Sequence, residues 1–145
     1  MIKLEYGILI NQPVESVWKF MSNVENATKW DRGVLEAKQI SDGPPGVGAI
    51  IQTRRQYIGQ QQIRTLRITE WEPNRAVKLK GSNKQMTAQI RYTFEPVGDG
   101  TRLTGSADIE IIGWFKLLTP LIVLLGDRDN REDLANVKRI LEAQG

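Results

Sequence analysis

From Trp114 to Leu125 the chain is apolar at nearly every position, broken only by Lys116, Thr119 and Pro120. It then turns polar through Asp127, Arg128, Asp129, Asn130, Arg131, Glu132 and Asp133, and closes on a sparser apolar stripe of Leu134, Val137 and Leu141. The spacing predicts one long C-terminal helix over Gly113–Leu141. A half-helix that is oily on most sides has to be covered by something. At 12 residues the run from Trp114 to Leu125 falls short of the roughly 20 that span a bilayer. We expect Leu117, Leu121 and Leu125, spaced i, i+4, i+8, to lie against a sheet. Phe115, Ile122, Val123 and Leu124 then form a second apolar surface. A homodimer contact, an early loop or a transient membrane contact would each cover it. Pro120 should kink the helix or set off a short lead-in.

The rest of the chain reads as strands. Ile2, Leu4, Tyr6, Ile8 and Ile10 alternate with Lys3 and Glu5, the period of a half-buried strand. Pro13 and Glu15 open a short helix carrying Val14, Val17, Trp18 and Met21 at helical spacing, and a second short helix covers Val24–Lys29. Further strands are expected over Val34–Ile40, Gly48–Ile58, Gln61–Trp71, Ala76–Lys80, Gln85–Glu95 and Thr101–Ile112. They are punctuated by Ser41–Gly46, a Gly59-Gln60 hairpin turn, Glu72–Asn74, Gly81–Asn83 and Pro96–Gly100. In the sixth strand Met86, Ala88, Ile90, Tyr92 and Phe94 share a face. In the seventh Leu103, Gly105, Ala107, Ile109 and Ile111 do. Strands joined by short turns pair antiparallel, and such alternation leaves one buried sheet face for the long helix to cover. Small inward residues such as Gly105 either bend the sheet or leave room for a ligand.

Composition narrows the chemistry. The 145 residues contain neither histidine nor cysteine. A Ser-His-Asp triad, a thiol nucleophile and a typical zinc site are therefore excluded, and no metal or cofactor is expected. With 20 cations against 17 anions the charge is nearly balanced, which argues against nucleic acid as a partner. The charges at Lys3 and Glu5 break any signal-peptide core, so we expect a cytoplasmic protein with one domain over residues 1–145.

Three stretches carry a resemblance to a known family. They are Ile10–Trp18 with its proline, acid and aromatic; Asn26–Asp31 around Trp30; and the punctuation Gly46–Gly48, Glu72–Arg75 and Gly98–Leu103. The segment Asn130–Lys138 is similar to the family's helix terminus. In this order the chain resembles the START-like (SRPBCC) helix-grip superfamily, and within it the polyketide cyclase/dehydrase branch. The resemblance implies an α+β helix-grip fold: a seven-stranded antiparallel curved sheet wrapped around a long C-terminal helix, with two short helices between strands 1 and 2. It also implies a cavity between sheet and helix for a hydrophobic small molecule such as a lipid, isoprenoid, aromatic or polyketide-like compound. It supplies no universal catalytic residue, and a fold alone licenses no activity.

The expected pocket residues are Trp18, Met21, Trp30, Arg55, Tyr57, Leu66, Ile68, Met86, Ile90, Tyr92, Leu103, Ala107, Leu117, Leu121 and Leu125. On the third strand Ala49, Ile51, Thr53, Arg55 and Tyr57 form the slightly more apolar face and are pointed inward. That places Arg55 either as an anchor for an acidic ligand group or at the solvent rim. A buried Tyr92 phenol needs a hydrogen-bond partner. Arg67, Lys78, Lys80, Lys84 and Arg91 read as a solvated outer face. Asp127, Asp129, Glu132 and Asp133 read as a solvated helix stretch with intrahelical pairs. The leading reading is a non-catalytic carrier or sensor of a hydrophobic molecule. The alternatives are a polyketide cyclase/dehydrase-type enzyme and an interaction module using the apolar helix.

Overall fold

The computed structural model describes residues 2–57, 60–82 and 86–144, with the side chains of Tyr57 and Gln60 left out. The Gly59-Gln60 turn, the end of the Gly81–Asn83 turn, Lys84 and the Tyr57 side chain therefore lie outside the described residues. Strand β1 (Ile2–Ile10) leads into helix α1 (Val14–Ser22), a 3-10 turn over Val24–Asn26, and helix α2 (Ala27–Trp30). Strands β2 (Val34–Gln39), β3 (Ile50–Tyr57), β4 (Gln60–Glu72), β5 (Ala76–Ser82), β6 (Met86–Val97) and β7 (Gly100–Ile111) follow. All neighbours pair antiparallel, in the order β1-β7-β6-β5-β4-β3-β2.

Alternation places the strands as the sequence suggests. Leu4 and Ile10 of β1 are buried while Lys3, Glu5 and Leu9 are exposed. Ala49, Ile51 and Thr53 are all buried, which fixes the inward face of β3. Helix α1 buries Val14, Val17, Trp18, Phe20 and Met21. Trp18 stands edge-on to Trp71 and Phe94, with ring centroids 5.0 and 5.2 Å away, a favoured aromatic geometry. Behind these rings Ile10, Val17, Leu103, Leu134 and Val137 form the fully buried centre.

The C-terminal stretch is a 3-10 lead-in over Gly113–Leu118 followed by helix α3 (Thr119–Gln144). Gly113 turns the chain off β7 with φ +67, a backbone state that suits glycine. Pro120 falls in the first turn of α3, where its missing donor costs nothing, so it marks the helix start rather than a kink. Helix α3 packs mainly on β1 and α2, with its grip at Leu134, Val137 and Leu141. Its C-terminal half is also tied by hydrogen bonds. Asn136 donates to Trp30 O at 3.0 Å, Gln12 donates to Leu141 O at 3.1 Å, and Glu142 accepts from Asn11 N at 2.8 Å. Halfway along, Asn130 donates to Gly105 O at 3.0 Å.

The oily first half does not lie against the sheet as expected. Leu117 is 81% exposed and Leu121 46%, and Trp114 and Leu124 are exposed beside them. The lead-in that follows β7 buries none of its residues. Trp114 and Phe115 stack on each other at 4.0 Å. Gly105 makes room for neither a bend nor a ligand. A Cβ there would lie 2.8 Å from Asn130 Oδ1 and 3.1 Å from the Tyr92 ring, so the missing side chain seats both. No described helix is long and apolar enough to cross a membrane.

Candidate functional site

Strands β3 to β6 present their inward faces to the α1–α2 segment across a cavity of about 580 Å³. That is the size of a small-molecule pocket. Met21, Val24, Ala27 and Trp30 come from the helical side. Ile51, Leu66, Ile68, Val77, Leu79 and Ile90 come from the sheet. The exposed Glu25 and Lys38 mark its mouth. One end is polar. There Arg55 Nη1 donates to Asp31 Oδ2 at 2.9 Å, and both side chains are mostly buried, at 19% and 13% exposed. Asp31 Oδ1 also accepts from Gly33 N at 3.0 Å, which fixes the carboxylate before the arginine reaches it. Burial works against the Arg55 charge, and Asp31 more than restores it.

Seven of the expected residues meet on this cavity: Met21, Trp30, Arg55, Leu66, Ile68, Ile90 and Tyr92. Apart from Tyr57, whose side chain lies outside the described residues, the others lie elsewhere. Trp18 and Leu103 belong to the packed core. Met86 and Ala107 are half-buried but outside the cavity wall. Leu117 and Leu121 face outward, and Leu125 lines a second cleft. Arg91, expected on a solvated face, pairs with Glu70 at 2.7 Å on the outside of the sheet.

The second cleft, of about 490 Å³, runs between α3 and the start of β2. Asp129, Glu132 and Asp133 line it, and it shares Asp31 and Arg55 with the cavity. The ion pair thus stands between the two spaces. Here the reading of the acidic stretch as solvated needs correction. Asp127 does pair with Arg131 along the helix at 3.0 Å. Asp133 instead turns inward. Burial, then the nearby Asp31 charge, push its carboxyl up to about 8, with Arg55 pulling the other way. Burial also raises the Asp129 carboxyl. The Tyr92 phenol is driven well above its usual range by burial, reinforced by Asp133 and Asp31. Around the ion pair the shifts therefore favour a charged Arg55 and protonated Asp133 and Tyr92 at neutral pH.

Asp133 was legible in principle. Leu125, Asp129, Asp133, Val137 and Leu141 follow one another every four residues, so the two acids continue an apolar row. The Asp31–Arg55 pair, 24 residues apart in the chain, left no such trace. Three polar atoms on cavity-lining residues have no hydrogen-bond partner among the described residues. They are Trp30 Nε1, Thr53 Oγ1 and Arg55 Nε. Natural structures leave few such atoms unmatched.

Comparison with known proteins bears on the same architecture. A START superfamily protein from Mycobacterium smegmatis superposes with a TM-score of 0.84 at 14% identity, covering 99% of both chains. A Thermus thermophilus protein gives 0.83 at 17% identity, again over 99% of both. The Zhui aromatase/cyclase from a Streptomyces species gives 0.81 at 13% identity, over 97% of this chain and 93% of its own. At these identities the likeness is one of fold. No curated protein matches the sequence. Residues 1–142 match the family described as polyketide cyclase / dehydrase and lipid transport. The seven-stranded antiparallel sheet, the long C-terminal helix and this match over nearly the whole length agree: the chain belongs to the polyketide cyclase / dehydrase and lipid transport family.

Proposed function

We propose that this protein binds a hydrophobic small molecule in the cavity between β3–β6 and the α1–α2 segment. The observation that carries the reading is a cavity of about 580 Å³ with apolar walls, closed at one end by a buried ion pair. Family membership, which spans lipid transport and cyclases, supports the same class of ligand. Burying about 250 Å² of apolar ligand surface there is worth about 6 kcal/mol before the losses of association. Alone that gives binding no tighter than about 40 μM, so polar contacts have to supply the rest. The test is a screen of quinones, fatty-acid esters, sterols and aromatic ketones by native mass spectrometry. The wild type is expected to retain adducts. Ile90→Trp, which fills the cavity from its half-buried wall, is expected to lose at least about tenfold in affinity while keeping its fold by circular dichroism. A wild type that retains nothing, or a variant that binds as well, would sink the reading.

A second reading is favoured by one observation, the protonated Asp133 carboxyl beside Arg55 and Tyr92. A carboxylic acid that keeps its proton at neutral pH can deliver it to a carbonyl oxygen. An enzyme of the cyclase type would use it so, with the Arg55 charge stabilising the oxygen as electron density builds there. The fold shared with the Zhui aromatase/cyclase is consistent with this role.

A further inference from the structure

We infer that the polar end of the cavity selects a neutral carbonyl oxygen, as in a ketone, ester or quinone, over a carboxylate. This deepens the binding reading above and rests on it. The first ground is the kind of polar atom left unmatched. Trp30 Nε1 and Arg55 Nε carry hydrogens and can only donate, and the Thr53 hydroxyl can donate too. What they lack is an acceptor, and an ammonium group offers none. The three belong to one neighbourhood. Thr53 and Arg55 are alternate residues of β3, so they share its inward face. Trp30 precedes Asp31, the arginine's partner, and its ring stands edge-on to Tyr92 with centroids 5.9 Å apart. Trp30 and Thr53 are each only 7% exposed, so bulk water does not serve them. All three atoms belong to residues that line the cavity.

The second ground is charge. A carboxylate is also an acceptor, and an isolated arginine would welcome it. Arg55 is not isolated, because Asp31 already holds it at 2.9 Å. A ligand carboxylate would bring a second negative charge to an end that has one cation. On the cleft side of the same ion pair, burial and the Asp31 charge both push the Asp133 carboxyl up, and a second anion beside Asp31 would meet the same two costs. A neutral carbonyl brings lone pairs for the unmatched donors and no charge to desolvate.

The test uses three ligands with one apolar body: acetylnaphthalene, naphthoate and ethylnaphthalene, titrated calorimetrically into the full chain at pH 7. Acetylnaphthalene is expected to bind about tenfold tighter than ethylnaphthalene, the size of one or two satisfied buried donors, and tighter than naphthoate by at least as much. Thr53→Val removes a hydroxyl at nearly constant volume. It should cost acetylnaphthalene about threefold to tenfold and leave ethylnaphthalene unchanged. Trp30→Phe, which keeps an aromatic ring and removes the indole donor, should act the same way. Equal binding of the ketone and the hydrocarbon overturns the inference and leaves the binding reading intact. So does naphthoate binding as tightly as the ketone. Failure of all three to bind overturns the binding reading, and the inference with it.

Discussion

Asp133→Asn is expected to stabilise the protein at pH 8.5 by about 2–4 kcal/mol and to leave it nearly unchanged at pH 4. The folded carboxyl holds its proton up to about 8, whereas an ordinary aspartate releases it near 3.8. The folded state therefore binds the proton more tightly than the unfolded chain does. The stabilisation is complete below 3.8 and is lost as pH rises through about 8, with a limiting slope of about 1.4 kcal/mol per pH unit. Asparagine copies the protonated acid in shape and does not titrate. The groups that set the effect are Asp31, Arg55, Asp129 and Glu132, with the Tyr92 phenol close by. The expected gain is held below the full electrostatic figure because part of Asp133 remains within reach of water. Urea denaturation at the two pH values measures it. Parallel losses in wild type and variant would contradict the inward placement of Asp133. The same variant decides the catalytic reading. If Asp133 protonates carbonyls, deuterium exchange into the methyl group of bound acetylnaphthalene should be faster with wild type than with the variant.

Asp31→Ala should be the most damaging single change at the site, costing about 3–5 kcal/mol at pH 6. It leaves the mostly buried Arg55 guanidinium without its anion and removes the acceptor for Gly33 N. The loss should shrink at pH 9. Asp31 is the charge that most opposes ionisation of Asp133, after burial itself. With Asp31 gone, Asp133 ionises more easily and becomes the nearest available anion for Arg55. A double variant, Asp31→Ala with Asp133→Asn, should lose this recovery at high pH. A cost below about 1 kcal/mol for Asp31→Ala would mean that the pair is an ordinary surface contact.

The strand pattern was legible because period-two alternation reports burial directly, and the long helix because its stripe is unmistakable. The parts that were misread share a physical cause. Periodicity says which side of a helix is oily but not which portion lies over a neighbour, so it points Leu117 and Leu121 inward although both are exposed. Charge says that a side chain prefers water but not whether the fold allows it, so Asp133 was left outside although it continues the row of Val137 and Leu141. Gly105 posed a choice between bend and space. Its meaning depended on Tyr92 and Asn130, two residues on other elements.

The Asn130–Gly105 hydrogen bond divides α3 into two mechanically different parts. Beyond it, Leu134, Val137 and Leu141 and the bonds of Asn136, Gln12 and Glu142 bind the helix into the core. Before it, exposed leucines and the stacked Trp114–Phe115 pair give little hold. Local opening free energy follows such differences in buried contact. Amides from Leu121 to Leu125 should exchange with solvent at least about tenfold faster than those from Leu134 to Leu141, by hydrogen-exchange mass spectrometry. The helix would then work as a lever clamped at one end. Its less firmly held arm carries Leu125 on the wall of the acidic cleft.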